Sequence, residues 1–301
     1  MKVMVCDPLA DDAIEILKGA GLEVEIMQGQ TPEGLADTIK GFNAVIVRSA
    51  TKVRKVAIDA ADVLKVIARG GIGLDNIDVD YAKEKGIQVL NTPAASTRSV
   101  AELAIAHMFA MARFIAQADG SMKNEQWEKK AYKGIELQGK TLGLIGYGRI
   151  GQETGRIADA LGMTVIGWDK FIKESPAPYI KKVDFDELLK QSDFISLHIP
   201  FIKADGPTLG KAEFDKMKDG VYLVNCARGG TVDEKALLEA LNSGKVAKAA
   251  IDVFEAEPTT NWDLVKHPKV NCTPHIGAST VEGQQRVGIE IAEKVIEALK
   301  S

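Results

Sequence analysis

Three segments of this 301-residue chain end apolar stretches in residues that can do chemistry: Asn225-Cys226-Ala227-Arg228-Gly229-Gly230, Asp252-Val253-Phe254-Glu255-Ala256-Glu257-Pro258 and Thr273-Pro274-His275-Ile276-Gly277. An arginine offers a planar, permanently charged fork that holds a carboxylate and polarises the oxygen beside it, a geometry lysine does not reproduce. A histidine exchanges a proton with a hydroxyl within hydrogen-bond reach. A glutamate next to it stabilises the imidazolium and fixes which ring nitrogen is free. Arg228, Glu257 and His275 together suit oxidation of a secondary alcohol, or reduction of the matching carbonyl. Taken singly, each also fits a plainer role: a surface charge, a turn residue before Pro258, a histidine at a helix entry.

Such a reaction needs a hydride carrier, and residues 141–169 supply a binding pattern for one. They read TLGLIGYGRIGQETGRIADALGMTVIGWD: an apolar strand, the turn Gly146-Tyr147-Gly148-Arg149-Ile150-Gly151, a helical stretch and a second strand ending at Asp169. In a dinucleotide-binding βαβ unit the first glycine makes the tight turn, the second admits the pyrophosphate close to the backbone, and the third lets helix pack on strand. The positive end of the helix opening at Arg149 would face the anion. Asp169 stands about twenty residues past the last glycine, where a carboxylate accepts the ribose hydroxyls of NAD.

These groups must be positioned by a larger frame. Apolar runs at 2–6, 23–27, 44–47, 65–68 and 88–90 read as strands, with helices such as 11–18 and 79–85 between them, implying a parallel sheet covered on both faces. An Ala/Met-rich stretch at 99–118, with a capping box at Ser99 and Glu102, reads as one connecting helix. A second α/β series follows, with strands near 141–145, 164–167, 194–197, 221–224, 247–251 and 270–272. Ser279 and Glu282 then open a last helix able to return to the first domain. Ser175-Pro176-Ala177-Pro178 reads as a loop. Ligands in such sheets bind at the carboxyl ends of the strands, where the chemical residues stand.

Composition narrows the function classes. The chain is 46% hydrophobic and 27% charged with net charge −4, which suits a globular protein and gives no basic field for nucleic acid or anionic membrane. Cys6, Cys226 and Cys272 form no CxxC pair and read as buried free thiols in a reducing compartment. The start MKVMVCDP shows no leader and no span is long enough to cross a bilayer, so a cytoplasmic protein is expected. No metal-ligand spacing is present, and catalysis without a metal is expected. Of the other histidines, His107 is expected at an interface and His267 in a loop.

The motifs as a set resemble the D-2-hydroxyacid dehydrogenase family across the whole chain: VRSATKV at 47–53, ARGGIGLDNIDVDYAKEKGIQVLNTP at 68–93, GYGRIG, LHIP at 197–200, NCARGG, DVFEAEP and PHIGAST. The resemblance implies an α/β chain of two doubly wound parallel-sheet domains. They are a flavodoxin-like substrate domain at 1–95 plus 280–301 and a Rossmann NAD-binding domain at 96–279, with a hinge near 93–99 and 277–280. It makes His275 the acid/base, Glu257 its partner and Arg228 the ligand of substrate carboxylate and carbonyl. It gives NAD the turn residues Gly146, Tyr147, Gly148, Arg149, Ile150 and Gly151, with Asp169, His198, Pro200, Cys226, Ala227, Asp252 and Gly277. Substrate contacts fall to Arg48, Ser49 and the amides at Gly71, Ile72 and Gly73, with Lys129 or Lys133 contributed by a partner subunit. The implied reaction is NAD-dependent oxidation of D-3-phosphoglycerate in serine synthesis; the alternatives are glyoxylate or hydroxypyruvate reduction, or another D-2-hydroxy acid. An NADH-sensing corepressor is a further reading, disfavoured by the lack of an appended tail. A homodimer, or a dimer of dimers, is expected. The segment at 201–208 departs from the family's usual loop, of which Thr208 is the surviving threonine, and the end at Ser301 implies no serine-sensing domain.

Overall fold

The computed structural model describes residues 1–175 and 177–300, and the chain forms two units, residues 1–97 with 278 onward and residues 98–277. In the first unit β1 (Lys2–Val5), α1 (Asp11–Gly19), β2 (Glu23–Ile26), α2 (Pro32–Thr38), β3 (Ala44–Val47), α3 (Lys55–Ala60), β4 (Val66–Arg69), α4 (Val79–Glu84) and β5 (Gln88–Asn91) alternate. All strand pairs are parallel in the order β2-β1-β3-β4-β5, the flavodoxin-like arrangement. Helices on both faces explain why β3 is Ala-Val-Ile-Val with every residue buried rather than alternating. Burial of that kind is the main favourable term in folding, about 25 cal/mol per Å² of apolar surface.

The second unit opens with α5 (Thr97–Arg113), which begins two residues before the expected capping box. Ser99 is buried inside its first turn, and Glu102 turns instead to Arg98. Nor does one helix reach residue 118. Phe114 turns left-handed at φ 56 and a separate α6 (Ile115–Lys123) follows. The last carbonyls of α5 are taken from outside the helix. Ile135 N–H donates to Ala112 O at 3.0 Å and Lys248 Nζ to Met111 O at 2.9 Å, with the ammonium over the Phe114 ring. Burial pushes that lysine down to about 8.

There follow β6 (Thr141–Ile145), α7 (Arg149–Ala160), β7 (Thr164–Trp168), β8 (Lys181–Lys182), α8 (Phe185–Gln191), β9 (Phe194–Leu197), α9 (Lys211–Lys216), β10 (Val221–Asn225), α10 (Glu234–Ser243), β11 (Val246–Ile251), α11 (Trp262–Val265) and β12 (Val270–Cys272). The sheet is parallel throughout, in the order β12-β11-β10-β9-β6-β7-β8. The order reverses beside β6, the switch point where a doubly wound sheet binds its ligand. Of the expected loop at 175–178, Pro176 lies outside the described residues.

The final helix, α12 (Val281–Lys300), is capped by Thr280 rather than Ser279: Gly283 N–H donates to Thr280 Oγ1 at 3.0 Å. It belongs to the first unit, where Ile291, Ala292, Val295 and Leu299 share a core with Val3, Val5, Ala13 and Leu17. Gly288 permits the close approach to α1, since a β-carbon there would sit 3.1 Å from that of Ala13. Among the described residues no single helix is long and apolar enough to cross a membrane.

Candidate active site

The glycine turn follows β6 at the switch point. Gly146 has φ +89, and a β-carbon on it would lie 2.7 Å from His198 O; one on Gly151 would lie 2.2 Å from Gly146 O. Both positions therefore require glycine. At Gly148 an added β-carbon meets no protein atom within 4 Å, so the backbone stands open just where α7 presents its unpaired first-turn amides. That room and those donors fit a dinucleotide pyrophosphate. Arg149 is exposed and Ile150 half-buried at the start of the helix.

Asp169 follows β7 beside this turn. Its Oδ2 accepts Tyr147 N–H at 3.1 Å, while Oδ1 accepts Phe171 N–H at 2.8 Å and Ile172 N–H at 3.0 Å. The Tyr147 phenol, fully buried, donates to Ile172 O at 2.9 Å. Its ring occupies the space left by Gly167, where a β-carbon would come within 2.7 Å of Tyr147 Cδ1. Lys170 is engaged by Asp205 at 2.6 Å. After β9, His198 Nε2 lies 2.9 Å from Ser196 Oγ, and burial pushes this imidazole down to about 3, so it stays neutral. Pro200 is exposed, and Cys226 is buried after β10 with its thiol raised by that burial.

The three chemical residues follow three adjacent strands, β10, β11 and β12. Asn225 shapes the first turn, its Oδ1 accepting Ala227 N–H at 3.1 Å while Thr231 Oγ1 donates to Arg228 O at 2.7 Å. A β-carbon at Gly229 would lie 1.7 Å from Phe254 O, so only glycine lets this turn press against the one leading to Glu257. Glu257 Oε1 accepts Phe254 N–H at 3.1 Å, and Oε2 lies 2.6 Å from His275 Nδ1. Burial pushes the Glu257 carboxyl up, but the His275 hydrogen bond and charge, the Phe254 amide and Arg228 outweigh it and hold it below its ordinary value. A carboxylate only accepts, so His275 Nδ1 carries a proton and Nε2 is the ring nitrogen left to exchange one.

His275 itself is left-handed at φ 53, which for a non-glycine residue costs of order 1–3 kcal/mol. Asp252, 1% exposed, offsets that cost. Its Oδ1 accepts Ile276 N–H at 2.8 Å and the Thr273 hydroxyl at 2.6 Å, and its Oδ2 accepts Gly277 N–H at 2.9 Å. His275 N–H closes a tight turn on Thr273 O at 3.0 Å around Pro274. His107 is buried in α5 with Nε2 3.1 Å from Thr273 Oγ1. His267 sits in a loop, its Nδ1 accepting Lys269 N–H.

In the first unit, Arg48 and Ser49 follow β3 and Gly71, Ile72 and Gly73 follow the neighbouring β4. Asp7 sets the Arg48 backbone: its Oδ2 accepts Arg48 N–H at 2.5 Å and Thr51 N–H at 3.2 Å. Burial lowers the Arg48 guanidinium against the pull of Asp7, and its Nε is buried with no hydrogen-bond partner among the described residues. Lys129 and Lys133 are exposed, and Thr208 N–H donates to Thr231 O. The supporting side chains Asp7, Asn225 and Thr273 carried no assigned role in the sequence, although each stands at or just beyond a strand end.

The family model for the D-isomer specific 2-hydroxyacid dehydrogenase NAD binding domain matches residues 105–277. The chain belongs to the D-isomer specific 2-hydroxyacid dehydrogenase family. Among the relatives of this family member, a D-3-phosphoglycerate dehydrogenase of Archaeoglobus fulgidus is 48% identical over all of the chain and 58% of its own length. A hydroxypyruvate reductase of Thermotoga maritima is 52% identical over 99% of the chain and 98% of its length. The chain thus spans little more than half of the first relative and nearly all of the second. A solved glyoxylate reductase from Paecilomyes thermophila superposes with TM-score 0.91 at 33% identity, covering 100% of this chain and 96% of its own. Family membership makes NAD the cofactor of the second unit.

Proposed function

We propose that this protein interconverts D-3-phosphoglycerate and 3-phosphohydroxypyruvate with NAD. The observation that carries the hydroxy-acid chemistry is the 2.6 Å Glu257–His275 pair on the strand end next to that of Arg228, in the same sheet as the glycine turn. His275 Nε2 takes the proton from the C2 hydroxyl during oxidation and returns it to the oxygen during reduction. Glu257 stabilises the imidazolium, and Arg228 holds the substrate carboxylate and polarises the C2 oxygen. The Gly146–Gly151 turn and Asp169 would hold NAD, which would supply the hydride-transfer chemistry at C2 in either direction. The charged state of His275 is met by a carboxylate whose other oxygen is pinned by the Phe254 amide, so the pair needs no rearrangement as the proton arrives.

Arg48 and the amides at 71–73 are assigned to the substrate's phosphate and carboxylate by the resemblance and by the buried Arg48 Nε, which has no hydrogen-bond partner among the described residues. Charge-assisted hydrogen bonds contribute roughly 1.5–3 kcal/mol, so Arg48→Ala should lower kcat/KM for phosphohydroxypyruvate by about one to two orders of magnitude. Glyoxylate, which carries no phosphate, should be little affected. The Thermotoga maritima relative supports a second reading, hydroxypyruvate reduction. A wild-type preference near one between the two substrates, or a ratio indifferent to the substitution, would favour that reading. We also propose a homodimer, supported by the exposed apolar side chains Ile115, Met122 and Trp127 around α6, the last 77% exposed.

A further inference from the structure

His107 takes no part in the proton transfer derived above, yet it is a buried titratable group hydrogen-bonded toward the loop that carries His275. Three bonds make the connection. His107 Nε2 lies 3.1 Å from Thr273 Oγ1, Thr273 Oγ1 lies 2.6 Å from Asp252 Oδ1, and the Asp252 carboxylate accepts Ile276 N–H at 2.8 Å and Gly277 N–H at 2.9 Å. The direction of each bond follows from donor count. Asp252 only accepts, so the single hydroxyl proton of Thr273 points to it, and the Thr273 oxygen accepts from His107, whose Nε2 must carry a proton. Burial lowers the His107 imidazole against the pull of Asp252, which keeps the ring in the neutral form that this arrangement uses.

We propose that His107 is a positioning residue for His275: through Thr273 it orients the Asp252 carboxylate that clamps the Ile276 and Gly277 amides, and so fixes the left-handed turn that aims the imidazole. Without the His107 N–H the Thr273 hydroxyl is free to rotate about its side chain, and Asp252 Oδ1 loses a donor that faces it squarely. The consequence for turnover rests on the dehydrogenase reading; the hold on the two amides does not.

Amide hydrogen exchange at Ile276 and Gly277 in the full-length, ligand-free protein tests the hold directly. A net hydrogen bond of about 0.5–1.5 kcal/mol corresponds to roughly two- to tenfold, so His107→Leu should speed exchange at both amides by about that factor. Thr273→Val, which breaks the chain from its other end without touching α5, should do the same, and the two together should add little to either. His107→Gln, whose amide can replace the Nε2 donor, should restore slow exchange. In steady state with NADH and phosphohydroxypyruvate, His107→Leu should lower kcat by a similar factor and His107→Gln should restore it, a rescue that a loss of packing alone would not produce. Unchanged exchange in His107→Leu or in Thr273→Val, or effects that multiply in the double variant, would overturn the inference. A wild type that reduces no 2-oxo acid, with the exchange pattern as expected, would sink the dehydrogenase reading and leave the positioning role standing.

Discussion

At the scale of single residues, the site divides labour by proton count. His275→Asn keeps size and hydrogen bonding but has no titratable nitrogen, so turnover should fall by roughly 10² to 10⁴ with NADH affinity nearly unchanged. Stopped-flow and fluorescence titration separate the two effects. Glu257 is held below its ordinary value of 4.5, so its charged contact with His275 is fully present above that value and is lost as pH falls through the lowered one. Glu257→Gln removes this dependence: kcat/KM should be lower in the variant already at neutral pH and should lack the acid step that the wild type shows below 4.5. A wild-type pH profile retained in the glutamine variant would assign the partner role elsewhere. Asp169, aimed by three backbone N–H groups, should also set cofactor choice. A 2′-phosphate about 4 Å away meets repulsion of roughly 4 kcal/mol at an effective dielectric near 20. Lys170 is engaged by Asp205 and does little to relieve it. NAD should therefore be preferred over NADP by about two to three orders of magnitude in kcat/KM, and Asp169→Ala should remove most of that preference. Comparable efficiency with both cofactors in wild type would contradict this account.

At the scale of elements, the cofactor site depends on how closely α7 can meet β6. The 2.2 Å that a β-carbon at Gly151 would leave to Gly146 O is far inside van der Waals contact with backbone, which cannot swing aside as a side chain could. Gly151→Ala should shift the start of α7 and weaken NADH binding by about tenfold or more, read by quenching or calorimetry. The same substitution at Gly148, where nothing stands within 4 Å, should leave the fold intact and weaken binding only through the space it takes from the ligand. Similar unfolding midpoints for wild type and Gly151→Ala would show that the helix accommodates the methyl group. The break between α5 and α6 is an element-scale correction of the same kind. Residues 99–118 have helical composition, but Lys248 and Ile135 arrive from distant parts of the chain to take the carbonyls that would have continued the helix.

For the molecule as a whole, the discontinuous first unit makes its own demand. α12 is the last element in the chain, yet it supplies Ile291, Ala292, Val295 and Leu299 to the core beneath β1 and β3. Lys294 adds a hydrogen bond to Asn91 O and Arg286 one to Ala95 O. Removing residues 281–301 leaves α1 alone over that face of the first unit's sheet, whereas residues 98–277 keep their own cores. The truncated chain should lose exchange protection in β1, β3 and β4 while still binding NADH, as followed by hydrogen exchange and fluorescence. Protection retained across the first unit would show that α12 is dispensable. The net charge of −4 fits a small anionic ligand met by a few placed cations rather than a long polyanion.

Period and punctuation in the sequence determine where most strands lie, because a doubly wound sheet demands short, wholly apolar runs separated by helices, and these are local properties. The turn Gly146–Gly151, Asp169 and the triplet Arg228, Glu257 and His275 stood out for the same reason: each follows a strand end, and chain direction alone places it at the carboxyl edge of a parallel sheet. Tertiary structure decided what holds them. The 2.6 Å contact between Glu257 and His275, the hold of Asp252 on two amides, the Asp7 support under Arg48 and the link from His107 join residues 18 to 166 positions apart, and no local spacing encodes such meetings. Caps went the same way. Ser99 has the right neighbours for one but is buried inside α5, and Thr280 rather than Ser279 caps α12, because the first turn is set by which hydroxyl reaches a free amide once the helix has docked.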